Sequence, residues 1–401
     1  MKILVYAHQL EVGGTQVNAI EIAAALRDLH GYDVLLFATP GPMVKLIEEK
    51  GLRFLPAPEP HIHPSPARMR ALRDAVRCER PDLLHVWDWQ QCLDAYYAVH
   101  LPQEIPMVVT DMYMSLTRLL PRALPTTFGV PALVDLAKAR GRRQASLLLP
   151  PVDARLNAPG AVDPQPFRRR YGIEHGAITL VTVCRLSEWL KSESLIRTIS
   201  VVRALGRDVP LQFVIVGDGV LRAKLQRLAD EINAELKRSA VILTGALLDP
   251  RPAYAAADIV VGMGGSALRG MAFGKPVVIV GEKGFSAPFT PATAESFYYK
   301  GIYGLGDGDP ENSRLAAGIR GLAEHPDRLP GLGAFARQFV LRHFSLEVAC
   351  TRLVGVFQSA VSELPTVRAT VTDAFRTAAI CLRERNIFPD GHVLRRRFRL
   401  W

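Results

Sequence analysis

The stretch from Ile259 to Val280 has the residue types best suited to chemistry in this chain. Its pattern predicts a strand, a glycine turn, a helix and a second strand. The turn and the start of the helix comprise Gly262, Gly264, Gly265 and Ser266. Such a unit brings backbone N–H groups and a helix N-terminus to the carboxyl edge of a parallel sheet, a common phosphate site. The alternative is a tight turn in which glycine serves packing alone.

Two cations flank another predicted strand-to-helix turn. Arg185 lies at the end of the strand predicted over 179–186, and Lys191 opens the next helix. Cations in these positions can clamp a diphosphate and stabilise the negative charge that grows on a leaving group. Because surface cations are frequent in all proteins, the residues alone leave an ordinary solvated pair as the alternative.

Two blocks of alternating strands and helices position these residues. The strands are near-continuous apolar runs, as expected when helices cover both faces of a parallel sheet. They are predicted over 2–7, 33–39, 83–87 and 107–111, with 147–149 as a further candidate, and then over 179–186, 213–219, 241–245, 259–263 and 277–280. The fold class is therefore α/β, with two doubly wound parallel-sheet domains that face a cleft where ligand binds.

Irregular segments separate and follow these blocks. Residues 112–131 break the pattern, and the proline-rich segment 150–166 reads as the connection between domains. After Gly308 the chain is predicted to be helical. The resulting domains are an acceptor-binding domain over 1–155, a donor-binding domain over 156–345 and C-terminal helices over 346–401 that return to the first domain.

Composition limits the class of protein. The 401 residues are 49% hydrophobic and 22% charged, which suits large folded cores. No apolar stretch approaches the ~20 residues that span a bilayer. The start lacks the features of a signal peptide, and the five cysteines are scattered, so a cytoplasmic protein with free thiols is expected. No HExxH, P-loop, paired CxxC, GxGxxG or GxSxG signature is present.

The net charge of +10 suits an anionic ligand, a membrane surface or nucleic acid. Nucleic acid is not expected, because no RNP, zinc-finger or recognition-helix motif is present. Part of the positive charge lies in the tail Arg395–Trp401, which contains Phe398. This tail either contacts acidic lipid or RNA or is a solvated or locally docked terminus, and peripheral membrane contact is kept as a prediction. The oligomeric state is left open.

The segment EVGGTQVNAIEIAAAL at 11–26 follows the first predicted strand. Gly13 and Gly14 can close a strand-to-helix turn without a Cβ barrier, and Thr15 can cap the helix. With four further segments it makes the chain, as far as about Ser362, resemble the retaining, nucleotide-sugar-dependent glycosyltransferases of the GT-B fold, family 4. The resemblance implies that Gly13 and Gly14 let the backbone approach donor and acceptor. The alternative is a plain turn.

Two more segments carry this resemblance. PDLLHVWD at 81–88 is similar to a family segment that ends in a histidine at the cleft, which implies acceptor binding by His85, near Asp88. A lone histidine is also often structural, so both interpretations stay open. VTVCRLSEWLKSESL at 181–195 looks like the family's Arg-Leu…Lys segment, which implies that Arg185 and Lys191 are catalytic. Their spacing of six residues is one longer than the commonest form.

The fourth segment joins VIVGDGVLRAKL at 214–225 to VILTGALLDPRPAYAAAD at 241–258. Gly217 and Gly219 are expected to serve the turn after a strand rather than binding. In the family the later loop lies beside the nucleobase, so the resemblance implies base contacts by Ala246 and Leu247.

The fifth segment is the opening one, aligned on GMAFGKP at 270–276. The family normally has two glutamates, eight positions apart, which hold the donor sugar and ribose. Val261 and Arg269 stand there instead, and arginine cannot accept from ribose hydroxyls. We predict that Arg269 pairs with the ligand or with an acid such as Glu282. The implied donor site comprises Gly262, Met263, Gly264, Gly265, Ser266, Arg269, Glu282, Ala246 and Leu247.

The strand predicted over 107–111 contains a further departure. The family often places a histidine near this strand end, where the present chain has Asp111. Asp111 either contacts a hydroxyl of the donor or acceptor or caps the following turn.

The resemblance implies an enzyme that moves a sugar from a nucleoside diphosphate to a hydroxyl or amine, with retention of configuration. The acceptor is a small molecule, a lipid or a polysaccharide, bound by the first domain. No cofactor beyond the nucleotide sugar is expected, and no metal, because no Asp-x-Asp pair occurs in a cleft loop. The alternatives are a non-catalytic paralogue that serves as a binding or partner subunit, which the missing glutamates favour, and a GT-B sugar epimerase.

Overall fold

The computed structural model describes residues 1–363 and 367–384, so the basic tail Arg395–Trp401 lies outside the described residues. The chain divides into two compact units. The first unit contains residues 1–151 and the described residues after 345, and the second contains residues 152–345.

Seven parallel strands form the sheet of the first unit, in the order β3-β2-β1-β4-β5-β6-β7. Their bounds are β1 Lys2–Tyr6, β2 Asp33–Ala38, β3 Arg53–Pro56, β4 Leu83–Trp87, β5 Met107–Asp111, β6 Thr126–Phe128 and β7 Ala145–Leu147. Its helices are α1 Gly14–His30, α2 Val44–Glu49, α3 Pro66–Glu79, α4 Asp88–Ala95, a π-helical turn Tyr96–His100, α5 Leu101–Gln103, α6 Pro131–Ala139, and near the C-terminus α15 Leu346–Ser362 and α16 Val367–Glu384.

Alternate residues of β1 enter cores on opposite faces of this sheet. Ile3 and Val5 pack in one core with residues of α1 and α15, and Leu4 and Tyr6 pack in the other with residues of α3 and α4. Burial on both faces is the reason that the strands are near-continuous apolar runs. Phe357 of α15 is fully buried in the first core, so the C-terminal return to the first domain is confirmed.

Six strands form the sheet of the second unit, in the order β10-β9-β8-β11-β12-β13, and only β13 runs antiparallel. Their bounds are β8 Ile178–Val183, β9 Leu211–Val216, β10 Val241–Gly245, β11 Ile259–Gly262, β12 Val277–Val280 and β13 Ser286–Pro288. Its helices are α7 Gln165–Tyr171, α8 Glu188–Leu205, α9 Arg222–Leu236, α10 Arg251–Ala256, α11 Gly265–Ala272, α12 Pro291–Lys300, α13 Ser313–Ala323, a 3-10 turn Pro326–Arg328 and α14 Leu329–His343.

The predicted fold class, two parallel-sheet α/β domains, is confirmed. The sequence pattern missed β3, β6 and β13, because their residues, RFLP, TTF and SAP, do not form the continuous apolar run that identifies β11 and β12 at a similar length. β6 lies inside the segment 112–131 that the sequence predicts to be irregular. None of the helices within the described part of the chain is both long and apolar enough to cross a membrane.

Candidate functional site

The glycine turn of the second unit joins β11 to α11. Gly264, the residue before α11, has φ 55° and ψ −134°, a conformation that side chains with a Cβ rarely adopt. Its amide donates to the carbonyl of Ile302 at 2.6 Å, which ties the turn to the rest of the unit. Helical hydrogen bonding begins with the Leu268 amide, which donates to the Gly264 carbonyl. The earlier amides of α11 are therefore not used inside the helix.

A small pocket opens beside this turn, and Lys191 reaches it from α8. The pocket wall comprises Thr182, Cys184, Lys191, Ser194, Leu195, Thr198, Phe213, Val261, Gly262, Met263, Ser266 and Val280. Burial lowers the pKa of Lys191, against an opposing effect of the neighbouring Cys184 thiol. Within the described residues no carboxylate forms an ion pair with Lys191, so its charge is available to an anionic ligand. The structure thus brings together two features that the sequence predicts separately.

The backbone before Lys191 leaves the helical path. Trp189 has φ −80° and ψ 136°, and Leu190 has φ 67° and ψ −26°. A positive φ is unfavourable for a bulky residue, so surrounding contacts must hold it. The regular part of α8 therefore begins at Lys191. Arg185 itself is exposed beyond the end of β8 and does not line the pocket.

Arg269 lies on α11 and is half-buried. Its Nη1 atom would lie 3.3 Å from a Cβ placed on Gly265, so the guanidinium is beside the first turn of the helix. Burial raises the pKa of Tyr254 to about 12, and the charge of Arg269 opposes that rise. Tyr254 in turn donates to the hydroxyl of Ser266 at 3.2 Å. Arg269 therefore adds positive charge where the turn and Ser266 meet.

The remaining donor candidates of the second unit divide into three groups. Met263 is buried in the pocket wall at 5% exposure, as is Val261, which stands at one of the two glutamate positions and is 2% exposed. Glu282 accepts a hydrogen bond of 2.5 Å from the Tyr303 hydroxyl. Ala246 is exposed and Leu247 half-buried directly after β10, so their base contacts stay a prediction.

Gly217 is confined by packing. A Cβ on Gly217, whose φ is 148°, would lie 1.9 Å from the Cys184 carbonyl oxygen. A side chain would therefore not fit at position 217, so packing alone explains the glycine there without a ligand, as the sequence analysis expected.

The carboxyl edge of the sheet in the first unit contains a polar group of three residues, His8, Asp88 and Asp111, here named the His8 cluster. His8 follows β1, Asp88 follows β4, and Asp111 ends β5. His8 Nε2 lies 2.5 Å from Asp88 Oδ2, and Asp88 Oδ1 accepts from the Met112 amide at 3.0 Å. Asp88 has φ 56°, which lets its side chain turn back over the strand ends.

Asp111 is fully buried at the end of β5. Asp111 Oδ1 accepts a hydrogen bond from the Tyr113 amide at 3.0 Å. This oxygen therefore caps the turn after β5, which is one of the two roles considered for Asp111. His8 Nδ1 is buried and lacks a hydrogen-bond partner among the described residues, and the side chain that hydrogen-bonds to Asp111 there is the Asp88 carboxyl. Burial and the neighbouring Asp88 raise the pKa of Asp111 well above its ordinary value. The cluster therefore contains a polar atom that a ligand hydroxyl can satisfy.

His85 has a different environment. Its side chain is completely buried, Nε2 lies 2.8 Å from the Thr110 hydroxyl, and the ring packs against Phe357 and Trp87. Burial lowers its pKa to about 3. This placement matches the structural alternative of the sequence analysis, and the acceptor role of His85 stays an untested prediction.

Gly13 and Gly14 lie where α1 begins, on the loop that also carries His8. Neither has positive φ, and a Cβ on Gly14 would meet no atom within 4 Å. The backbone at Gly14, near the start of α1, therefore has open space beside it. The sequence analysis missed His8, although a polar residue directly after the first strand, on the same loop as the glycine pair, was an available signal.

The polar groups do not form a metal site. No group of three His, Cys, Asp or Glu side chains that could hold a metal ion occurs in residues 1–363 and 367–384.

Two family models match the chain, one in each unit. The model described as Glycosyltransferase Family 4 matches residues 12–115, and the model described as Glycosyl transferases group 1 matches residues 177–291. No curated protein matches the sequence.

Solved structures share the fold at low sequence identity. A glycosyltransferase from Rickettsia africae has a TM-score of 0.72 and 13% identity, with 90% of this chain and 98% of that chain covered. HepE of Anabaena in complex with UDP has a TM-score of 0.70 and 16% identity, with 90% and 100% covered. Sucrose-phosphate synthase from Thermosynechococcus elongatus has a TM-score of 0.62 and 14% identity, with 90% and 99% covered.

Proposed function

Because the chain is a family 4-like glycosyltransferase of the GT-B fold, we propose that it moves a sugar from a nucleoside diphosphate to a hydroxyl or amine, with retention of configuration. The observation that carries this proposal is the meeting of Lys191 with the glycine turn in one pocket. The HepE complex with UDP-glucose supports a nucleotide sugar as the donor.

The second unit holds the donor in this proposal. The diphosphate lies between the Lys191 ammonium and the first-turn amides of α11, with Arg185 as a second cation. As the bond between sugar and phosphate breaks, negative charge grows on the leaving oxygen, and these positive groups stabilise it without a metal. Lys191 acts by its charge alone in this step and donates no proton to the diphosphate or to the sugar.

The first unit holds the acceptor, which is a small molecule, a lipid or a polysaccharide. We assign hydroxyl binding to the His8 cluster rather than to His85, because His8 is only half-buried at the strand ends, whereas His85 is completely buried against Trp87 and Phe357. The backbone groups of Gly13 and Gly14 form the rest of the proposed acceptor site. Retention requires that the acceptor oxygen bonds to the sugar carbon on the same face from which the diphosphate leaves, and the leaving phosphate oxygen, freed as its bond to that carbon breaks, takes the acceptor proton.

A non-catalytic binding subunit is the second candidate. The observation that favours it is Val261, a buried apolar residue where the family has a sugar-binding glutamate. The pocket keeps its lysine and its glycine turn, which favours the enzyme. An epimerase is the third candidate, and its product, an altered nucleotide sugar, would distinguish it from a transferase.

Incubation with nucleotide sugars in excess chelator tests the proposed function. We expect nucleoside diphosphate release that persists without metal, and a product whose anomeric configuration by NMR equals that of the donor. Calorimetric titration with a panel of nucleoside diphosphates runs in parallel. Binding without any turnover supports the non-catalytic subunit. A strict need for magnesium or manganese, or an inverted product, contradicts the respective part of the proposal.

Arg269→Glu tests whether Arg269 belongs to the donor site. We expect the dissociation constant of the preferred nucleoside diphosphate to rise about tenfold or more, because a charge-assisted hydrogen bond contributes about 1.5–3 kcal/mol. The dissociation constant of Arg269→Gln should lie between those of the parent and of Arg269→Glu, since glutamine removes the charge without reversing it. Titration calorimetry measures all three proteins. Tighter binding of Arg269→Glu would instead show that a carboxylate restores a ribose contact, and unchanged affinity would place Arg269 outside the site.

A further inference from the structure

The helix α16 exposes apolar side chains and turns polar ones inward. Val371, Phe375 and Leu382 are 47%, 75% and 71% exposed, and their spacing of four and seven residues places them in one stripe. Asp373 and Thr377, on the opposite side, are 7% and 0% exposed. The inward side also contains Cys381, Ala374 and Ile380, which pack on the core of the first unit, so the exposed stripe is a second apolar face that a helix packed on one core does not need.

Polar contacts fix the inward face of this helix. The Ala123 amide donates to Asp373 Oδ2 at 2.7 Å. The hydroxyls of Tyr96 and Tyr97 donate to the carbonyls of Thr370 and Ala374, at 3.2 and 2.9 Å. Because these bonds hold the orientation of α16 on the first unit, the apolar stripe cannot turn inward without breaking them.

A pocket lined by five arginines adjoins α16 through Arg376, the residue after Phe375. Arg376 donates to the Leu120 carbonyl at 3.0 Å, and the buried Arg142 donates to the same oxygen at 2.9 Å. Two guanidinium groups therefore meet at one carbonyl. Arg376 pairs with Asp373, whereas within the described residues Arg142 donates only to uncharged oxygens, those of Pro121, Leu120 and Thr126.

The other arginines of the pocket, Arg118, Arg122 and Arg140, are exposed. In the part of the chain that the structure describes, their side chains form no ion pair with an acid. The pocket thus combines these three exposed arginines with Arg142 and Arg376, which both interact with Asp373, and the positive charges exceed the negative ones.

We propose that this surface, named the α16 face and comprising Val371, Phe375, Leu382 and the five-arginine pocket, docks the protein on a bilayer rich in anionic phospholipid. The arginines bind lipid phosphates, and the apolar stripe enters the boundary between headgroups and acyl chains. A soluble phosphate compound would use the arginines but leave the stripe exposed to water, so the two features together favour a lipid surface. The proposal is independent of donor and acceptor binding.

Flotation of the full chain with vesicles tests this proposal. We expect binding to vesicles of phosphatidylcholine and phosphatidylglycerol in equal parts, and little to phosphatidylcholine alone. The combined variant Arg118→Gln, Arg122→Gln and Arg140→Gln should weaken binding by about 100-fold, since each arginine near an anionic surface contributes about a fivefold factor. The variant Phe375→Ser with Leu382→Ser should weaken it by about tenfold or more.

Matched controls come from the second unit. Arg169→Gln, Arg170→Gln and Arg227→Gln remove the same charge from exposed arginines, and Val220→Ser with Leu341→Ser removes exposed apolar side chains. These controls should bind vesicles as the parent does. Circular dichroism confirms folding, and the arginine variant decides the question if the Phe375 and Leu382 variant does not fold.

Several results would overturn the proposal. These are equal binding to both vesicle types, losses no greater than those of the controls, and absence of vesicle binding while calorimetry detects inorganic phosphate at the arginines. The last result would identify a soluble anion. Nucleoside diphosphate titration of the arginine variant should match the parent, so a failed lipid proposal leaves the proposed transferase function untouched.

Discussion

Lys191→Met is expected to lower the turnover number by about 100-fold, the usual loss when one preorganised positive group at a developing oxyanion is removed. Methionine keeps the unbranched stem in the pocket but removes the ammonium. The effect should be large because Lys191 is partly withdrawn from water beside Gly262 and Ser266, where a charge interacts more strongly than at the surface. Nucleoside diphosphate release at saturating donor measures it.

Arg185→Ala is the companion variant. We expect a loss of the same order, because a second cation after β8 shares the charge of the leaving diphosphate. Lys224→Ala, at an exposed lysine of α9 in the same unit, is the control and should leave turnover unchanged. Near-normal turnover in both Lys191→Met and Arg185→Ala would refute the leaving-group assignment, whatever the donor proves to be.

His8→Ala is expected to lower kcat/KM for the acceptor by about 100-fold, with little change in the affinity for nucleoside diphosphate. Asp88 Oδ2 lies 2.5 Å from His8 Nε2, which fixes the orientation of the imidazole, and in the proposed acceptor site this ring binds the incoming hydroxyl. Asp88→Asn should produce a loss of similar size. Asparagine tolerates the positive φ of this position and can still accept from the Met112 amide, so the backbone is preserved while the charge is lost.

The double variant shows whether the two residues act together. If Asp88 works by holding His8, the losses of the single variants will not add, and the double variant will resemble either one. His61→Ala, at an exposed histidine of the same unit, is the control. Fully additive losses would assign separate tasks to His8 and Asp88. Unchanged kcat/KM in both single variants would remove the His8 cluster from the acceptor site.

The fold class and some local features of the candidate donor site are predictable from the sequence alone. The long parallel strands bury both faces, so each is an apolar run that stands out without neighbours in space. The glycine turn and the Lys191 helix start were also visible, because tight turns and helix starts depend on local residue types. The strand β6 was not predicted, since its residues Thr-Thr-Phe do not form an apolar run.

Only the tertiary structure decided which polar residues meet. His8, Asp88 and Asp111 are distant in the chain, and the strand order β1-β4-β5 places their carboxyl ends side by side. His85 has no exposed surface, because its ring packs against Phe357 of α15, a residue of the first core that comes from the far end of the chain. Whether a strand-end histidine is catalytic or structural therefore depends on long-range packing, which no local pattern contains.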